Sequence, residues 1–320
     1  MLQLHMSKSI TIGISSCLLG KKTRYDGDHR RDDHLLKAFG RYVKWVPVCP
    51  EVECGLPIPR EPMKLVGNIN YPSLVTKKTK IDHTERMKKY VNRKLKALEK
   101  EDLDGFIFKS RSPSCGIRKV RVSDRSGSYC MGRGIFTDDF VRSFQNTPVE
   151  DEQRFHNRNN LHNFIERVVL LYKWKEFIKN KSSIISLVSF HSDHKLTIMA
   201  HNPTYLRELD RMISNANKYK PKKLHYKYLN TLMEGMRLKT TVKKNIKVLQ
   251  LLTRYFNKLS PDDEIKELLE VIEHYHKGIV PLIVPVALLN HYVRKFKVRH
   301  LSRQHFLNPH PIELMHRNQT

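Results

Sequence analysis

DHTERMKKYVNRKLKALEKEDLDGFIFKS, residues 82–110, holds an amphipathic stretch and a short apolar run end to end. Met87, Val91, Leu95 and Leu98 recur at the spacing of one helical face, which predicts a helix over 82–102. DGFIFKS at 104–110 is apolar, brief and flanked by charge, as a buried strand is. Working outward, SITIGISS at 9–16 reads as a buried strand, 30–41 as a helix and VKWVPV at 43–48 as a second strand. Strand, helix, strand, then helix, strand is the order of parallel βαβ units. The first half is therefore expected to be an α/β domain with a small, Rossmann-like parallel sheet.

Three cysteines follow these three strands. Cys17 lies in ISSCLLGKKTRYDGDHR, Cys49 in PVCPEVECGLPIPR and Cys115 in KSRSPSCG. Right-handed crossovers bring such loops to one edge of a parallel sheet. Ligands bind at that edge, outside the carboxyl ends of the strands. Three thiolates with a fourth position open describe a reactive metal centre better than a closed structural one. The residues alone leave three readings: an iron–sulfur cluster, a zinc ion or no metal. Zinc sites of small domains usually carry close C-x-x-C pairs, whereas these cysteines are scattered over three loops. Cys54, close behind Cys49, is a candidate fourth ligand that would close the site. Cys130, in SYCMGRG, reads as a buried apolar thiol.

Polar residues of the same loops are the candidate chemistry. Glu51 either activates water or relays protons, or is a capping or ion-paired carboxylate. Ser112 and Ser114, around Pro113, either contact a substrate or shape a turn. Arg24, beside Tyr25, either holds an anionic or carbonyl group or pairs with Asp26 or Glu51. Arg60, at the end of GLPIPR, carries the same ambiguity.

The 320 residues include 59 Lys+Arg against 32 Asp+Glu, a net charge of +27. Up to residue 150 the counts are 29 against 17, and after it 30 against 15, so both halves are basic. A field of this sign attracts polyanions, which makes RNA or DNA a candidate partner. Five cysteines are too few and too irregular for a disulfide framework, so a reducing, cytoplasmic setting is expected. ISSC has the look of a lipoprotein box, but the apolar stretch before it is shorter than the roughly 7–15 residues of a signal core. The most apolar run, Gly278–Leu289, falls short of the about 20 residues that span a bilayer and contains Pro281 and Pro285. No membrane segment is expected.

After Gln145–Asp151 glycine becomes scarce and helical spacing dominates. Candidate helices are 154–179, 182–200, 203–218, 222–257, 261–276 and 282–296, an all-α domain. The domains are expected to be 1–148 and 149–320. His191, His194 and His201 share nearly one helix face. They either bind metal or phosphate, or are hydrogen-bonded within a packed interface. The tail, SRQHFLNPHPIELMHRN, is expected to lie extended on the helices.

Taken together, SSCLLG, RYDG, VCPE, GLPIPR and KSRSPSCG, in this order, resemble the motifs of the 2-thiouracil desulfurase family over roughly residues 8–145. The resemblance implies a [4Fe-4S] cluster on Cys17, Cys49 and Cys115, with the fourth iron open to the sulfur of the substrate. It implies acid/base and substrate-contact roles for Glu51 and Ser112; the loop residues Arg24, Tyr25 and Ser114 are, on their own chemistry, expected at the substrate. Cys54 departs from the family, which usually has a small residue there. FHSDHK, MAHNP and NPHPIEL resemble the YbgA-like helical domain often fused to this module. The expected function is removal of sulfur from a thiolated pyrimidine-like base or nucleoside, hydrolytically, with the cluster as a Lewis acid. The rival expectation is a non-catalytic nucleic-acid-associated protein with a structural or sensory metal site.

Overall fold

A computed structural model describes residues 9–124, 128–180 and 183–317. The chain divides into two compact units, Met1–Phe164 and Ile165–Thr320.

In the first unit the order is β1 (Ile10–Ser15), α1 (Asp33–Phe39), β2 (Val43–Val48), α2 (Pro50–Glu53), β3 (Met63–Asn68), β4 (Tyr71–Thr76), α3 (Thr84–Glu101), β5 (Gly105–Phe108), β6 (Val120–Ser123), β7 (Tyr129–Gly132), α4 (Ile135–Ser143) and β8 (Val149–Asp151). The main sheet runs β2-β1-β5-β8, and every pairing in it is parallel. Every residue of β1 is buried, as in a parallel strand covered on both faces. The chain leaves β1 for β2 on one side and returns to β5 on the other. That reversal opens a crevice at the carboxyl ends of β1, β2 and β5. The stripe of α3, Met87, Val91, Leu95 and Leu98, packs with Phe106, Phe108, Phe136 and Phe140 into one core.

The sequence reading did not anticipate the second sheet, β4-β3-β6-β7. Two antiparallel pairs, β3/β4 and β6/β7, join in it through the parallel pairing of β3 with β6. Its strands are short, and they carry Lys64, Gly67 and Pro72, residue types that strands disfavour. Residues 149–151, beyond the expected boundary at 148/149, form β8 and extend the first unit's sheet beside β5.

The rest is helical: α5 (Arg158–Lys179), which runs across the division, α6 (Ile184–His201), α7 (Pro203–Ser214), α8 (Pro221–Gly235), α9 (Val242–Phe256), α10 (Asp262–His276), α11 (Ile283–Lys295), α12 (Arg299–Ser302) and α13 (Pro311–Arg317). One core gathers side chains of α5 to α8, and a second those of α6 and α9 to α12. Two expectations are corrected here. The candidate helix 222–257 is two helices: α8 stops at Gly235, and Thr241 caps α9 by accepting from the Lys244 N–H. The tail is not extended throughout, since Pro311 starts α13. No helix among the described residues is long and apolar enough to cross a membrane.

Candidate active site

Each cysteine is placed by the element before it. Past β1 the chain turns through a short 3₁₀ segment, Ser16–Leu19, that carries Cys17. Cys49 caps α2, with its N–H donating to Glu53 Oε1 at 2.7 Å. Past β5, Ser112 Oγ accepts from the N–H groups of Ser114 (3.2 Å) and Cys115 (3.1 Å), which folds the loop back on itself. Glycines let this loop pack tightly. A Cβ on Gly116 would lie 2.8 Å from the Ser112 carbonyl, and one on Gly134 2.5 Å from that of Ser114.

Cys17, Cys49 and Cys115 line one cleft of about 340 Å³, together with Arg24, Tyr25, Glu51 and Ser112. Burial pushes the Cys17 thiol up to about 11, and the nearby Cys49 adds to the shift. Burial likewise raises Cys49, and raises Cys115 well above the usual thiol range, with Cys49, Glu51 and Cys17 contributing to the latter. Three thiolates so placed repel one another unless a cation sits among them. Coordinated metal reverses that balance and deprotonates a thiol.

Soft sulfur donors in a buried pocket fit an iron–sulfur cluster. Among the described residues no three His, Cys, Asp or Glu side chains lie close enough to hold one metal ion. A cubane presents its irons at separate corners, so its thiolates need not meet at a single point.

Glu51 is held on both oxygens. Ser114 Oγ donates to Oε1 at 3.0 Å, while Arg60 donates to Oε2 through Nε at 2.9 Å and Nη2 at 2.5 Å. Both side chains are largely buried, Arg60 at 6% and Glu51 at 13% exposure. Arg60 Nη2 also donates to the Thr23 carbonyl at 3.0 Å, tying the Cys17 loop to the Cys49 loop. The Arg24 fork is taken by Asp26, with bonds of 3.1 and 2.8 Å, and this pairing holds the Asp26 carboxyl down to about 2. Ser114 meets Glu51 and is absent from the cleft lining. Cys54 is also absent from it: its thiol donates to the Glu51 carbonyl at 3.1 Å and packs against the core.

The sequence reading missed Lys109 and Glu152. Lys109 lines the cleft and donates to Glu152 Oε1 at 2.5 Å. Lys109 stands in the quoted KSRSPSCG segment and was available to notice. Glu152 looked like part of an acidic boundary and gave no signal.

Two further expectations meet the structure here. Cys130 is exposed rather than buried, because β7 is an edge strand whose Tyr129, Cys130 and Met131 all reach solvent. The three histidines of α6 are buried and engaged within the helical unit. His191 Nε2 donates to Asp210 and its Nδ1 meets the Tyr228 hydroxyl, both at 2.9 Å. His194 donates to the Phe190 carbonyl at 2.8 Å, and His201 donates to that of Leu238 at 2.7 Å while facing Glu166 at 3.1 Å.

Residues 12–152 match the family model described as 2-thiouracil desulfurase, and residues 195–311 that of a protein of unknown function, DUF1722. Over 127 residues the chain is 29% identical to the uncharacterized protein YbbK of Bacillus subtilis (strain 168), covering 38% of this chain and 83% of YbbK. Over 134 residues it is 24% identical to the uncharacterized protein YbgA of Escherichia coli (strain K12), covering 41% of this chain and 79% of YbgA. Among solved structures it is similar to the [4Fe-4S]-dependent thiouracil desulfidase TudS, with 29% identity and a TM-score of 0.37, over 47% of this chain and 94% of that one. The chain thus carries, over residues 12–152, a region that matches the 2-thiouracil desulfurase model, followed over residues 195–311 by a region that matches the DUF1722 model.

Proposed function

We propose that the first unit hydrolyses the carbon–sulfur bond of a thiolated pyrimidine, releasing sulfide without net redox change. The observation that carries this reading is the meeting of three cysteines and Glu51 in one cleft, inside the region matched by the desulfurase family. Cys17, Cys49 and Cys115 would hold a [4Fe-4S] cluster, which when bound supplies a Lewis-acidic iron toward the thiocarbonyl sulfur.

The protein's own part is to position and to move protons. Glu51, ion-paired to Arg60 and oriented by Ser114, takes a proton from the attacking water. The Ser112 hydroxyl accepts from two backbone N–H groups, and its own hydrogen is directed to the substrate. Tyr25, 42% exposed with the Arg24 guanidinium over its ring at 5.3 Å, offers a stacking surface for the base.

The test is anaerobic reconstitution followed by assay of iron content and of sulfide released from thiouracil. A loaded protein that releases no sulfide from any thiolated pyrimidine overturns the reading. The net charge of +27 favours a second reading, in which the protein binds nucleic acid and the thiolated base is presented within RNA. Its sign is RNA binding that weakens steeply with salt.

A further inference from the structure

We propose that Lys109 donates the proton with which the severed sulfur leaves as hydrosulfide; this rests on the desulfurase reading above. Four cations line the cysteine cleft: Arg24, Arg60, Lys109 and Arg111. A guanidinium does not release its proton in proteins, whereas a lysine ammonium does. Lys109 is therefore the one cleft-lining cation that can act as an acid.

Its position is fixed from two sides. The Lys109 N–H donates to Ser15 Oγ at 2.9 Å, pinning the end of β5 to the end of β1, just before Cys17. Nζ donates to Glu152 Oε1 at 2.5 Å and to Ser110 Oγ at 3.0 Å. Its third contact, to the Ser110 carbonyl, is long at 3.3 Å and is the one most easily surrendered. Glu152 is itself held by the Ser110 N–H (2.7 Å) and hydroxyl (2.6 Å), with its side chain 9% exposed. The ammonium is thus held in place and charge-balanced on a side chain that lines the cleft.

The chemistry requires such a group. After water adds to the thiocarbonyl carbon, the C–S bond breaks and its electron pair goes to sulfur. Sulfur departing without a proton would carry two negative charges. An N–H bond of Lys109 breaks as the S–H bond forms, giving HS⁻ and a neutral amine that regains its proton from solvent. The two protons of the water, one taken by Glu51 and one lost from the added hydroxyl as the carbonyl forms, both pass to solvent and Lys109 takes one back, so the sum is C=S + H₂O → C=O + HS⁻ + H⁺.

Lys109→Arg separates proton donation from charge, because arginine keeps the positive charge beside Glu152 and cannot release a proton. Wild type and both Lys109→Arg and Lys109→Met are loaded anaerobically and followed through a single turnover of thiouracil. In both variants the first equivalent of desulfurated pyrimidine is expected at near the wild-type rate. Sulfide release and later turnovers are expected to slow by roughly 10²-fold or more. Acid-labile sulfide kept by the desalted protein should then exceed its iron content, a count that does not depend on turnover rate. Lys109→Arg releasing sulfide at the wild-type rate overturns the proposal, and so does loss of the first equivalent with iron intact. Loss of iron from Lys109→Arg makes Lys109 structural and also overturns it. A loaded wild type without activity instead sinks the desulfurase reading itself.

Discussion

Glu51 gives one oxygen to Arg60 and the other to Ser114, so its behaviour depends on partners that no motif spacing names. Glu51→Gln keeps the shape and an acceptor for Arg60 but removes the carboxylate proposed as the base. Iron content should persist while turnover falls by roughly 10²–10⁴-fold. Arg60→Met is a harsher change, because it strands a buried carboxylate. A stability loss of about 3–5 kcal/mol is expected from urea unfolding, since removing one partner of a buried pair leaves an uncompensated charge. Among the cysteines, Cys17→Ala, Cys49→Ala and Cys115→Ala should each fail to retain iron on reconstitution, while Cys54→Ala and Cys130→Ala should load normally. The cysteines were legible in the sequence because each follows a strand whose apolar run announces it. The ion pairs were not: Glu51–Arg60 and Lys109–Glu152 bridge 9 and 43 residues, and only loop geometry decides who meets whom.

At the scale of elements, the apolar period carried the reading. α3 appears within two residues of its expected span, and its stripe faces the core as the spacing implied. Leu98, 1% exposed, sits at the end of that stripe. Leu98→Ala should cost about 2–5 kcal/mol, measured as a shift of the denaturation midpoint with unchanged slope. Period fails where it continues through a break. The apolar spacing of 222–257 runs on past Gly235, but the backbone leaves the helix there and restarts at the Thr241 cap. It fails again in the second sheet, where strands of four to six residues are too short to establish alternation.

Across the whole molecule, two units with separate cores imply separate responses to solution conditions. Burial lowers His194 to about 3 from the usual 6.5, with His305 adding to the shift. An unfolded chain takes up that proton near 6.5 and the folded one only near 3, so in this window the unfolded state binds more protons. The stabilising contribution is present above the higher value and is lost as pH falls toward the lower one. His191, also lowered by burial, acts in the same direction. The helical signal should therefore melt at lower temperature at about pH 4.5 than at about pH 7, and His194→Gln should flatten that dependence.

The solvent-facing thiol of β7 has a practical corollary. All five cysteines precede residue 165, and of these Cys130 alone is exposed. Alkylating reagent added to the metal-free protein should mark Cys130 at once, and Cys17 and Cys115, whose thiols burial in the cleft keeps protonated, far more slowly. Every added mass then reports on the α/β unit, to which the thiol-free helical unit contributes nothing.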